Sequence, residues 1–174
     1  WELAVATAIP MLTGAVDCSV QPQTIQSLVL LPLLASGRPR AAWEAHLRSY
    51  REIRRSPKAL ISLSYHLEYL ALVGRVDRGL DILRRHLLWL TQAESAYVLL
   101  SALRGMSLVL REAERSGRGE ETLDIELPPA DLWYPLPGLA ASTTISRAYA
   151  EMTGWVRRLA QQFDLRNGNS TISD

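Results

Sequence analysis

Between residues 60 and 90 leucine returns at intervals of three and four: Leu60, Leu63, Leu67 and Leu70 before Gly74, then Leu80, Leu83, Leu87 and Leu90 after it. That interval puts the side chains on one face of an α-helix, whereas a strand would need strict alternation. Ser56-Pro57 reads as an N-cap followed by proline at the first helical position. Gly74 is the natural stop, since only glycine takes the left-handed conformation there cheaply. The spacing therefore predicts a helix over 57–73, a tight turn, and a second helix from about Val76.

The same period continues on both sides. In RAAWEAHLRSYREIR (40–54), Trp43, Leu47, Tyr50 and Ile53 form one apolar face. Residues 23–36 read as a helix bent at Pro32 and closed by Gly37, and the segment up to Val16 as a helix kinked at Pro10. Residues 94–115 make another helix that ends at Ser116-Gly117, and a last one covers 140–163 and stops at Asn167-Gly168. Between these two, residues 117–139 form a long acidic, Pro- and Gly-containing loop, with one extended edge segment in TLDIEL. The expectation is an all-α chain of about seven helices in stacked hairpins, 1–174 being a single helical-repeat domain. Because it opens on Trp1, the chain is expected to be a fragment of a larger protein.

At 174 residues the chain is long enough to bury a sizeable core. Its first 36 residues hold two charges, Glu2 and Asp17, so this segment is expected to be buried, here or against the remainder of the parent chain. The longest apolar runs, 3–12 and 27–35, fall short of the roughly 18–20 residues of a membrane span, and each contains a proline. No membrane span is expected. A lone cysteine, Cys18, forms no internal disulfide, which suits a reducing cytoplasm. Lys58 is the one lysine among the basic residues, a bias that fits the codon usage of a GC-rich bacterial genome.

The order Leu63, Leu67, Leu70, Gly74, Gly79, Leu83 resembles the tetratricopeptide pattern, with large residues on a first helix, glycine at the turn and a small residue admitting the second helix. LAQQFDLRNGN (159–169) is also similar to a stretch of large tetratricopeptide-type actinobacterial proteins. The resemblance implies an α-solenoid coiled as a right-handed superhelix, a binding scaffold with no cofactor and no particular ligand. The chain departs from the pattern in two ways: the helix-to-helix step is about 20 residues rather than about 17, and His66 and His86 stand where smaller or apolar residues are usual.

His46, His66 and His86, the only histidines, lie 20 residues apart and each precedes a leucine. Three imidazoles and a water could hold a catalytic zinc ion. In consecutive antiparallel helices, however, His46 and His66 would meet near mid-helix while His86 would be carried away from them. No histidine pair at i and i+4 and no adjacent carboxylate motif supports the metal reading. The simpler expectation is three rings flanking apolar stripes, each making one hydrogen bond, with no metal bound.

No phosphate-binding glycine motif is present; SGRGE (116–120) follows a helix instead of opening one. Cys18 has no histidine near it in sequence, so no covalent nucleophile is signalled. The chain is therefore read as non-enzymatic. Its charge pattern says more. Arg38, Arg40, Arg48, Arg51, Arg54, Arg55 and Lys58 crowd 38–58 against Glu44 and Glu52, while 119–135 carries only acidic charges. Helical spacing lines up Arg48, Arg51 and Arg55 as a face for an acidic protein or peptide, with Tyr65 and Tyr69 as aromatic contacts. The alternatives are a merely solvated face, or one covered by the acidic loop. A net charge of +1 and the lack of interleaved aromatics disfavour nucleic acid. Trp133 and Tyr134 are expected to plug the end of the stack. A ligand-sensing regulatory domain and a histidine-based metal enzyme remain the competing readings.

Overall fold

The computed structural model describes residues 1–15, 23–125 and 140–173. The chain is all-α, with helices α1 (Glu2–Leu12), α2 (Gln23–Leu28), α3 (Leu30–Ala35), α4 (Pro39–Ile53), α5 (Leu60–Leu72), α6 (Val76–His86), α7 (Ala96–Ala113) and α8 (Ile145–Asn167). A 3-10 turn over Pro57–Ala59 leads into α5, and another over Leu87–Gln92 follows α6. The expected single helix over 23–36 is two helices. Proline at 32 supplies no N–H for the carbonyl four residues earlier, so the helix breaks there and Pro32 sits in the first turn of α3, where no such bond is needed.

Helix ends follow the local chemistry. Ser95 caps α7 by accepting from the Val98 amide at 3.3 Å, and Thr144 caps α8 by accepting from the Arg147 amide at 3.3 Å. Gly74 ends the α5 segment at φ +68° and Gly168 ends α8 at φ +67°. The extended piece of the long loop is strand β1 (Thr122–Asp124), which pairs antiparallel with β2 (Ser142–Thr144) just before α8. The rest of the Pro-rich loop, with Trp133 and Tyr134, lies outside the described residues.

α5 is the central helix, packed against α2, α3, α4, α6 and α7, and α8 covers the far side of α7. Leu63, Leu67 and Leu70 are fully buried, as are Leu80, Leu83 and Leu87, and each such side chain is worth about 1.5–3 kcal/mol in removed apolar surface. α1 is buried only at Val5 and Ala8; Trp1 and Leu3 are exposed. No helix among the described residues is long and apolar enough to cross a membrane.

Two glycines set the helix spacing. A Cβ on Gly105 of α7 would come within 2.8 Å of the Ser64 carbonyl oxygen and 3.2 Å of Ser64 Cα, so α5 and α7 touch backbone to side-chain position. A Cβ on Gly79 would meet Val109 Cγ1 at 2.8 Å. The small residue of α6 thus admits α7, not α5 as the hairpin pattern suggested.

Gly105→Ala is expected to destabilise the protein by about 1–3 kcal/mol, because α5 backbone must move. Gly154→Ala in α8, whose Cβ would meet only Arg158 Nη1 at 3.4 Å, is expected to stabilise by about 0.5–1 kcal/mol through helix propensity. Urea unfolding of the two variants measures both signs; a stabilised Gly105→Ala would contradict the close approach.

Candidate functional site

The interior beside α5 is polar where helical patterning alone would make it apolar. His46 and Ser49 of α4, His66 of α5, Ser27 of α2 and His86 at the end of α6 are all buried. Buried polar groups need partners, and these supply one another. Arg78 of α6 donates from Nε to His46 Nε2 at 2.9 Å. Arginine has donors only, so His46 Nε2 carries the lone pair and its proton sits on Nδ1. That proton faces His66 Nδ1 at 2.9 Å. His66 therefore holds its own proton on Nε2 and donates to the hydroxyls of Ser27 and Ser49, each 3.2 Å away and 2.7 Å from one another. Hydrogen-bond donation runs in one direction, from α6 through α4 and α5 to α2.

This arrangement needs both rings neutral, and burial keeps them so. Desolvation, with the Arg78 charge second, takes the His46 pKa down to about 3. Desolvation also holds His66 well below its ordinary range, aided by His46 and Arg78. His86 is lowered to about 4 by burial and then by Arg85, against an opposing pull from Asp81. Its Nε2 lies 3.0 Å from the Tyr50 hydroxyl, and its ring packs 4.0 Å from Trp89.

α4 and α6 run in the same direction with α5 behind them, and side chains bridge the space between. Over it opens a cleft of about 360 Å³. Leu47, Tyr50, Arg51 and Arg54 line it from the α4 side, and Arg78, Asp81 and Arg85 from α6. Arg85 grips Asp81 at 2.8 and 3.1 Å. Arg51, Arg54 and Arg78 form no ion pair among the described residues. Arg78 is half-buried, with its guanidinium carbon 5.5 Å from the Trp43 ring centre and 5.7 Å from that of Tyr50. These are cation–π distances that fix its plane.

The residues singled out from sequence are distributed unevenly around this cleft. Arg51 lines it, while Arg48 and Arg55 are exposed on α4 and beyond its end, outside the lining. Tyr65 is half-buried toward Tyr97 and Arg104 of α7. Tyr69 is 2% exposed and packs 5.7 Å from the His46 ring, so it offers no aromatic contact surface. Of the stripe expected on α4, Tyr50 and Ile53 are buried and Trp43 packs half-buried against the core, while Leu47 is exposed; Ala42, Ala45, His46 and Ser49 complete the buried face. His46 and His66 do meet and His86 does lie apart. But His46 and His66 are bonded at both ring nitrogens, through Arg78, each other, Ser27 and Ser49, whereas His86 makes the single bond expected of it, to Tyr50. The facing lone pairs of His46 and His66 are occupied by N–H donors, and no group of three His, Cys, Asp or Glu side chains placed for a metal ion occurs among the described residues. Of the acidic loop, Glu121 binds Arg118 at 2.8 Å, and Arg118 in turn binds Asp77 at 2.7 Å, so this described part is tied to the start of α6.

Arg54, Arg78, Arg85 and Tyr50 were missed as a group. Their signal was present in the intervals Leu47, Arg51, Arg54 and Arg78, Asp81, Arg85, each a helical face of its own.

The lowered histidine pKa values give a definite pH dependence. The unfolded chain takes up protons below about pH 6.5, while the folded protein does not until about pH 4 or lower. Stability is therefore complete above pH 6.5 and falls as the pH drops through that window, by about 1.4 kcal/mol per pH unit for each histidine. Urea midpoints at pH 7.0, 5.5 and 4.5, where most carboxylates stay ionised, should decline steadily; a flat profile would contradict neutral burial. Long-range 15N–1H spectra should show His46 protonated at Nδ1 and His66 at Nε2. Comparison with protein-family models, curated proteins and solved structures finds no match, so these distances are the ground for a functional reading.

Proposed function

We propose that the chain is a non-enzymatic binding module that receives an acidic protein or peptide segment in the cleft between α4 and α6. The observation that carries this reading is the set of four arginines, Arg51, Arg54, Arg78 and Arg85, around one cleft that holds a single carboxylate, Asp81. Like charges crowded around one cleft repel one another unless an anion lies between them, whereas elsewhere on the surface Arg40 pairs with Glu44 at 3.1 Å and Arg38 with Glu2 at 2.9 Å. Arg78 is instead held by a neutral imidazole and two aromatic rings, which leaves its positive charge available to a partner. Packing of α5 along α7, two helices on in sequence, is what successive hairpins of a tetratricopeptide-like right-handed superhelix would give, and it supports a scaffold role within a larger cytoplasmic, bacterial protein.

The test is fluorescence anisotropy with a labelled Glu-rich decapeptide. Binding should weaken at least fivefold between 50 and 300 mM salt, since exposed charges are screened within about a Debye length. Arg51→Glu/Arg54→Glu should reduce affinity tenfold or more with little change in melting temperature, both residues being exposed. Arg48→Glu/Arg55→Glu should cost less. Equal losses from the two pairs would move the contact away from the cleft.

A further inference from the structure

The cleft offers more hydrogen-bond donors, from more directions, than an acidic side chain can use. With Nε committed to His46 and its plane set against Trp43 and Tyr50, Arg78 keeps two terminal nitrogens, neither in an ion pair. Arg85 uses Nη2 on Asp81 and also donates to the Tyr50 oxygen, leaving fewer donors free than Arg78 keeps. Arg51 and Arg54 reach in from the opposite wall.

Tyr50 adds a further donor at the floor. His86 Nδ1 is buried without a partner among the described residues. An unpartnered ring nitrogen that merely lacks a donor costs less than a buried N–H with no acceptor, so the His86 proton belongs on Nε2, donating to the Tyr50 oxygen at 3.0 Å. The hydroxyl hydrogen of Tyr50 is then not spent on His86, and Tyr50 lines the cleft. Burial keeps that phenol protonated by raising its pKa.

A carboxylate is planar and accepts one fork well. A phosphoryl group has three oxygens splayed in three dimensions and a charge of about −1.5 to −2, and arginine forks match it bidentately. Four arginines against one aspartate leave a surplus of three positive charges, which suits a dianion better than a monoanion. A cleft of about 360 Å³ also holds more than the bare group, with room for the side chain that bears it.

The geometry points to the α4–α6 cleft as a phosphoryl-binding site, in which Arg51, Arg54, Arg78, Arg85 and the Tyr50 hydroxyl hold a phosphorylated serine or threonine of a partner peptide. This rests on the acidic-segment reading given above and narrows it.

Three labelled nonapeptides, alike except for a central phosphoserine, glutamate or serine, are titrated by anisotropy against the full chain. A single-stranded DNA decamer and inorganic phosphate as competitor complete the set. The phosphoserine peptide should bind at least tenfold tighter than the glutamate peptide and be displaced by millimolar phosphate. Arg51→Gln/Arg54→Gln should lose at least tenfold for the phosphopeptide and much less for the glutamate peptide. Tyr50→Phe, which keeps the ring beneath Arg78, should weaken the phosphopeptide roughly tenfold to a hundredfold, as for loss of one hydrogen bond to a charged group. Equal binding of the phosphoserine and glutamate peptides would overturn the phosphoryl assignment and leave the acidic-segment reading standing. Failure of both peptides to bind would overturn the two together. Tighter binding of the DNA than of the phosphopeptide would assign the cleft to nucleic acid and overturn the phosphopeptide. Displacement by phosphate without a preference among peptides would mean a free phosphate site and equally overturn it.

Discussion

The hydrogen bond between His46 Nδ1 and His66 Nδ1 joins α4 to α5, and both the tautomers and the neighbouring charge depend on it. Two buried imidazoles can meet nitrogen to nitrogen only if one carries a proton and the other does not. Arg78, a donor with no capacity to accept, decides which. The serine pair takes the far end of the chain of bonds, so both rings are satisfied at both nitrogens. Removing any member would leave a buried polar group unpaired, at a cost of about 1–3 kcal/mol.

The same bonds explain why a cleft persists between α4 and α6. Leucines in place of the histidines would let apolar side chains fill the gap and draw the helices together. The imidazole of His46 instead engages Arg78 by its edge, while Trp43 and Tyr50 hold the guanidinium over their faces. The arginine is thus held in one orientation by contacts within the chain itself. Neutral histidines matter here, because a protonated His46 would both repel Arg78 and withdraw its acceptor.

Leucine spacing made the central helices legible: the stripes of α5 and α6 are the buried residues, and Gly74, Gly117 and Gly168 take the positive φ that their positions demanded. The α4 face was legible at Trp43, Tyr50 and Ile53 but not at Ala42, Ala45, His46 and Ser49, which periodicity counts as neutral or polar. Only their partners on α2, α5 and α6 make such residues interior, and those partners come from long-range packing. Arg48, Arg51 and Arg55 looked like one face on an isolated helix. The neighbouring wall supplied by α6 leaves Arg51 and Arg54 lining the cleft, one step around the cylinder, with Arg48 and Arg55 outside it. Tyr69 was mistaken for surface because a tyrosine on a helix carries no mark of which neighbour will cover it.

The 20-residue recurrence of histidine has its own geometric outcome. Antiparallel α4 and α5 bring their mid-points together, so His46 meets His66. α6 runs parallel to α4, with Arg78 level with His46, and His86 lies eight residues further on, about 12 Å along the axis. On α4 the step from His46 to Tyr50 covers about 6 Å of that distance, and the long phenol of Tyr50 spans the remainder to reach His86. Tyrosine is thus the residue that can close the second bridge: a shorter side chain at 50 would leave the His86 ring unbonded at both nitrogens. With Arg78 over its ring and its hydroxyl on His86, Tyr50 ties the two ends of the cleft to one floor, and the arginines of α4 and α6 converge above it.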